Sequence, residues 1–383
     1  MIAKCWSICS PIIMLMIGLG VFCGCQRAEQ HVSNCSEIIV DITKNSKASE
    51  FFTGYECVAL ETNDSCLLSD IKKYDISPQY IALQNKQEIL LFDRKGTFKS
   101  AFNRNGQGPE EYVNIDALRI NDELVYVLDH DNKAINIYTI EGSFVKRFNL
   151  DASYIDFYVV NADKIILASG GYNETLYAFA WMDCKSGKIT SRFGEYSDAH
   201  SVIMWDYVPF AGINQGNVVV NVPFIMTAYQ LSENNMIPTA KYSFNTPEQL
   251  PTLTLETVNT SELIDKTRNK SLVRQLGHYC GIDSINYQSF QLFLPIRGGY
   301  GTHLVKYDNN GKTIAQMRME FTADPDFPYL NGSNIVFYDR DMVDIINAPS
   351  LIHVDRVLGV DYWERKGLSD DSNPVVFFYH LKN

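Results

Sequence analysis

Short apolar runs of strand length recur along the chain, each followed by a polar turn and a second run with alternating character. Three copies stand in register: residues 89–102, 135–148 and 179–193, closing on Phe102, Phe148 and Phe193. Their turn glycines, Gly96, Gly142 and Gly187, are 46 and 45 residues apart. A further step of the same length lands on Ser232, in a glycine-free turn leading to Phe244, and another copy spans 304–319 around Gly311. Runs such as Leu124 to Leu128 are apolar on both faces, whereas Phe144 to Phe148 alternates like a half-wetted outer strand. Alternation and short length mark strands rather than helices.

A period near 45 residues with several short strands per unit is a propeller period. One small antiparallel sheet cannot cover both its faces, so neighbouring units must stack in a ring. The pattern predicts an all-β protein, a six-bladed β-propeller over residues 51–383. Its blades lie at about 67–102, 113–148, 154–193, 205–244, 280–319 and from 335 to the C-terminal run 374–382. The last blade lacks an outer strand, and the run 55–61 near the N-terminus has no blade of its own. Pairing the two would seal the ring and remove open edges. Between blades four and five lies an insertion, about residues 246–278. There Thr260 or Ser261 offers an N-cap, and Leu263, Ile264, Leu272, Val273 and Leu276 form a helical stripe. Such a helix is either a lid or padding on the rim.

The first 24 residues carry one charge, Lys4, and an apolar run from Ile12 to Phe22. That run has the length of a signal-peptide core and is too short to span a bilayer. It ends in Phe22-Cys23-Gly24-Cys25-Gln26, which resembles a bacterial lipobox, with Phe22 departing from the usual leucine. Residues 1–24 are therefore expected to be a lipoprotein signal peptide, Cys25 the lipidated residue and 25–50 a tether. The anchor would place the protein in a bacterial cell envelope, at the outer membrane, touching the membrane only through its lipid. Five cysteines lie beyond the signal (Cys35, Cys57, Cys66, Cys184, Cys280), without a CxxC or zinc spacing. Cys57 and Cys66 are near enough in sequence to pair, although buried free thiols account for the set equally simply. Forty-five acidic against 33 basic residues give a net charge of −12. With no basic stripe, nucleic acid is not an electrostatic partner.

The segment Gly106-Gln107-Gly108-Pro109-Glu110-Glu111-Tyr112 resembles the G-x-G-P-x-E-Y junction between the first two blades of the six-bladed β-propeller lipoproteins common in gut-type Gram-negative bacteria. That family is itself similar to NHL-repeat propellers. Val58 to Thr62 and Asn373 to Phe377 match its opening and closing strands. The resemblance covers essentially the whole mature chain and implies a lipid-anchored propeller; it brings no activity with it.

In this strand order the outer-to-inner and second-to-third connections share one face of the ring. The loops at 103–112, 130–133, 169–175 and 295–303 should therefore surround one channel mouth. Arg104 and Arg297 would hold a carboxylate or sugar oxygen there, Tyr172 and Tyr300 would stack on a ring, and His303 would act as acid or base. Glu110 and Glu111 are either contact residues or turn-bonding carboxylates. The expected function is binding of a protein, peptide or glycan through this mouth, with no cofactor. The competing readings are a metal-dependent lactonase, lyase or hydrolase with a divalent cation in the channel, and a scaffold of an envelope assembly. Asp129, Asp131 and Asn132 place oxygen ligands close together but lack an EF-hand loop. No HExxH or GxSxG motif occurs.

Overall fold

The computed structural model describes residues 35–383, apart from Asp70, 171–174, 198–206, Asn234, Pro247, 295–298, 322–323, Asn334 and the side chains of Gly299 and Tyr300. Six antiparallel sheets follow one another along the chain, and the first strand of each meets the first strand of the next around a central axis. The molecule is a six-bladed β-propeller.

Blade one shows how the sequence produces the unit. Its strands are Ile71–Ile76, Tyr80–Asn85, Glu88–Asp93 and Phe98–Asn103, in spatial order. In the two middle strands Ile81, Leu83, Ile89 and Phe92 are completely buried, because both sheet faces are covered. The outer strand alternates and stays half wet. The turn before it is closed by Asp93, whose carboxylate accepts the amides of Lys95 (2.9 Å) and Thr97 (3.0 Å). Asp308 repeats this at Asn310 and Lys312, both at 2.9 Å. The repeating glycine has a second reason. Gly142 has φ of 82°, and a Cβ there would lie 2.4 Å from Phe102 Cβ of the preceding blade.

The ring closes as the sequence predicts. The strand Phe52–Ala59 pairs antiparallel with the C-terminal strand Val375–Leu381, Tyr55 opposite Tyr379 and Val58 opposite Val376. It is the missing outer strand of blade six. Phe52, Tyr55, Phe327 and Tyr379 form an aromatic cluster with centroids 5.4 to 6.4 Å apart.

Two expectations need correction. Residues 36–50 are not a free tether. The strand Ser36–Val40 adds in parallel to Met236–Phe244, giving blade four a fifth strand, with Ile38 and Val40 fully buried. The chain then crosses blade five, where Thr313 Oγ1 donates to the Ile39 carbonyl (2.7 Å) and Asn45 Oδ1 accepts from the Arg318 amide (2.9 Å). The segment was missed because its two inward side chains are too few to show a period. Second, helix α1 is Thr260–Thr267, capped by Asn259 rather than Thr260 or Ser261. Leu272, Val273 and Leu276 belong to the inner strand of blade five, Leu272–Ile282, so the insertion ends at residue 271. Their spacing fits either period, and burial between blades decides for the strand. Of the two readings left open for Cys57 and Cys66, the structure has the free thiols, which face different apolar clusters.

The two faces of the ring differ. Within the blades, every connection longer than four residues lies on one face, including the insertion and the segment that carries helices α2 (Ala348–Leu358) and α3 (Tyr362–Arg365). The opposite face has turns of two to four residues. Among the described residues, connections on the first face hold 19 acidic and nine basic residues, an excess of ten. The short turns hold seven and five.

Candidate functional site

The channel is walled by the six inner strands, and four of them bring ionisable side chains together. Asp75 lies on Ile71–Ile76, Arg119 on Ala117–Asn121, Asp156 and Tyr158 on Asp156–Asn161, and His278 on Leu272–Ile282. Arg119 Nη2 donates to Asp156 Oδ1 at 2.5 Å, its Nη1 donates to the Leu118 carbonyl at 2.7 Å, and the guanidinium stands 5.6 Å from the Phe157 ring centroid. Asp75 Oδ2 accepts the Ile120 amide at 2.8 Å. These contacts join blade one to two and blade two to three.

Burial dominates the electrostatics. It raises the Asp75 carboxyl to about 6, against the opposing pull of Arg119, and Asp156 adds to the rise. Burial alone would lower the Arg119 pKa, but the carboxylates of Asp156 and Asp75 outweigh it and the pKa rises. His278 is depressed to about 4, first by burial and then by the charge of Arg119. The channel thus holds a fixed cation, a carboxyl that titrates close to neutral pH and an imidazole of depressed pKa, beside the Asp156 side chain. Such a set can pair with a charged ligand group and exchange one proton with it. It does not fit a divalent cation: Arg119 already supplies the positive charge to both carboxylates, and among the described residues no three His, Cys, Asp or Glu converge to hold a metal.

The rim residues named from sequence are placed differently. Arg104 Nε donates to the Gly142 carbonyl (2.9 Å), and Glu111 Oε2 accepts the Gly108 amide (2.7 Å). The Glu110 carbonyl accepts from Tyr138 Oη (3.0 Å) and the Glu111 carbonyl from Asn136 Nδ2 (3.1 Å). The G-x-G-P-x-E-Y junction is therefore a strap that binds itself and blade two, with the Glu110 side chain left exposed. His303 is buried, its ring stacked on Phe290 at 5.1 Å, and its pKa is pushed down to about 4 by burial and secondarily by Arg318. Tyr300 stands in the same strand opposite Phe293. Tyr172, Arg297 and Cys25 lie outside the described residues. Asp129 accepts from the Val113 amide (2.7 Å), the Asn132 amide (3.2 Å) and Asn132 Nδ2 (2.8 Å), which makes it a hairpin residue. Part of the insertion roofs a pocket of about 180 Å³ between blades four and five, lined by Met226, Lys241, Phe244 and Leu250.

The sequence reading missed the channel residues. Arg119 and Asp156 are charges beside apolar runs, whereas Asp75 shares its strand with Lys72 and Lys73, so its charge does not stand out from its neighbours.

This chain belongs to the family described as Domain of unknown function (DUF4934), which matches residues 34–380. Among solved structures it is similar to protein BF0058 of Bacteroides fragilis, with TM-score 0.66 and 15% identity, covering 91% of this chain and 100% of that one. It is also similar to a DUF4221 family member from Bacteroides vulgatus, with TM-score 0.56 and 11% identity over 87% of this chain and 98% of that one. At such identities the likeness is one of fold. No curated protein sequence matches.

Proposed function

We propose that this protein is an exported, lipid-anchored propeller that binds a protein, peptide or glycan of the cell envelope through its long-connection face. The observation that carries the reading is the asymmetry of the ring: beyond Phe52, every connection longer than four residues, the acidic excess of the described connections and one mouth of the charged channel share one face. Loops held on a rigid scaffold are where recognition concentrates. The lipobox-like Phe22 to Gln26 supports the anchor, and the B. fragilis protein is provisionally described as exported.

Affinity capture from detergent-extracted membranes tests this. Glu262→Lys with Asp265→Lys, on α1, should lose the captured partner, whereas Asp122→Lys with Asp283→Lys, on the short-turn face, should retain it. Loss by both pairs, or by neither, contradicts the proposal.

A hydrolase or lyase reading has one observation in its favour, the Asp75 carboxyl with its pKa near 6 beside Arg119. It requires that turnover of a soluble ester, lactone or uronate substrate vanish in Asp75→Asn with the fold intact.

A further inference from the structure

A cleft of about 550 Å³ opens on the long-connection face between blade six and blade one. Its volume lies within the range of ligand clefts. Aliphatic side chains line part of it, Leu67, Leu68 and Ile71 from the blade-one side and Ile345 and Ile346 from the end of the strand Asp341–Ile346, with serine and asparagine side chains making up much of the rest. Leu67 is 53% exposed. Asp370 and Asp371 stand on the rim, both exposed, and neither makes an ion pair among the described residues.

The walls are fixed in advance. Buried Asn373 donates through Nδ2 to the carbonyls of Glu61 (2.6 Å) and Cys66 (2.7 Å), and its Oδ1 accepts the Leu68 amide (2.7 Å). Asn85 holds the other end, its Oδ1 accepting the Ser69 amide (3.1 Å) and its Nδ2 donating to the Leu67 carbonyl (3.2 Å). The acidic tip is tied as a turn, Ser369 N to Ser372 Oγ at 2.9 Å and Ser372 N to the Ser369 carbonyl at 3.0 Å. A ligand therefore meets a surface already ordered, which lowers the entropy lost on binding.

Exposed aliphatic side chains beside two carboxylates favour a ligand that carries apolar and cationic groups side by side. An anionic ligand would be repelled, and one without a cation would leave the acids unanswered. We propose that this cleft binds an extended peptide segment presenting a lysine or arginine next to an aliphatic side chain. The inference rests on the reading of the long-connection face as the binding face, and narrows the partner to a basic, partly apolar polypeptide.

The test is fluorescence anisotropy with the full mature protein in detergent and three probes: a labelled octapeptide alternating Lys and Leu, the same peptide with Glu for Lys, and unlabelled hexylammonium as competitor. The Lys-Leu peptide should bind. Asp370→Asn with Asp371→Asn should weaken it at least tenfold, and Leu67→Ala severalfold. Asp122→Asn with Glu123→Gln, on the short-turn face, should leave it unchanged, and the Glu-Leu peptide should not bind. Failure of the Lys-Leu peptide to bind overturns the proposal. So does an equal loss in the two acidic pairs, which would be unspecific charge attraction. Hexylammonium competing at concentrations comparable to the peptide assigns the cleft to a small organic cation and overturns it too. The affinity capture described above is unaffected by these outcomes: partner loss there with no peptide binding here would sink the cleft and leave the face standing.

Discussion

The Arg119 guanidinium stands 2.5 Å from the Asp156 carboxylate and ties the inner strand of blade two to that of blade three. Asp75 stands on its other side, on blade one, bonded to the Ile120 amide. One cation thus serves two carboxyl groups from different blades, and burial raises the pKa of Asp75.

That rise has a sign. Asp75 titrates near 6 in the folded chain and near its ordinary value of about 3.9 when unfolded. Between those values the folded chain holds a proton that the unfolded chain has lost, so stability falls as pH rises through this window. Asp75→Asn removes the dependence. The stability difference, variant minus wild type, should be larger at pH 8 than at pH 4.5 by about 2 kcal/mol in urea unfolding. An equal difference at the two pH values would contradict this account of Asp75.

His303 works in the opposite direction. Its folded pKa is near 4, below the ordinary value of about 6.5, so its contribution is present above 6.5 and is lost as pH falls towards 4. Phe in its place can keep the stack on Phe290 and cannot be protonated. His303→Phe should lie within about 1 kcal/mol of wild type at pH 7.5 and gain on it by about 2 kcal/mol at pH 4.5. Parallel pH profiles would refute the assignment.

The strap at 104–112 makes a coupling prediction. A Cβ on Gly106 would fall 1.9 Å from Glu111 Oε2, so Gly106→Ala should cost about 1–3 kcal/mol. Glu111→Ala, which frees the Gly108 amide, should cost about 1–2 kcal/mol. Since Glu111→Ala also removes the clash, the double variant should be less destabilised than the sum by about 1 kcal/mol or more. Strict additivity in a thermal double-mutant cycle would mean that the two residues do not meet.

Much of this was legible in the chain. The 45-residue step, the glycine turns and the unpaired run at 55–61 foretell six blades and their closure, because each repeats a local physical demand: two covered faces, a left-handed turn residue, no open edge. What escaped was set by distant partners. The strand Ser36–Val40 exists only because Met236–Phe244 offers it an edge, and Leu272 to Leu276 satisfies two periods until burial chooses. Asn373 belongs to a recognisable closing segment, yet its bonds to Glu61, Cys66 and Leu68 join residues about 300 positions apart. The channel acids and Arg119 were hidden for the same reason.

Asn373→Ala should therefore loosen the seam between blades six and one. Three buried bonds disappear and leave the Cys66 carbonyl and the Leu68 amide unpaired, while the Glu61 carbonyl keeps only the weak Cys66 Sγ donor, a loss of about 2–4 kcal/mol. Hydrogen exchange should rise first in the amides of residues 61–68 and in the strand Phe52–Ala59. Exchange that rises uniformly around the ring would contradict a local seam.

The most direct test of the central claim is photo-crosslinking in cells. A photoreactive residue is placed in turn at Glu110 and Lys266 on the long-connection face, and at Lys185 and Lys312 on the short-turn face. The account predicts discrete adducts of defined mass from the first two positions and none from the others. Adducts confined to Lys185 and Lys312, or equal from all four positions, would contradict it.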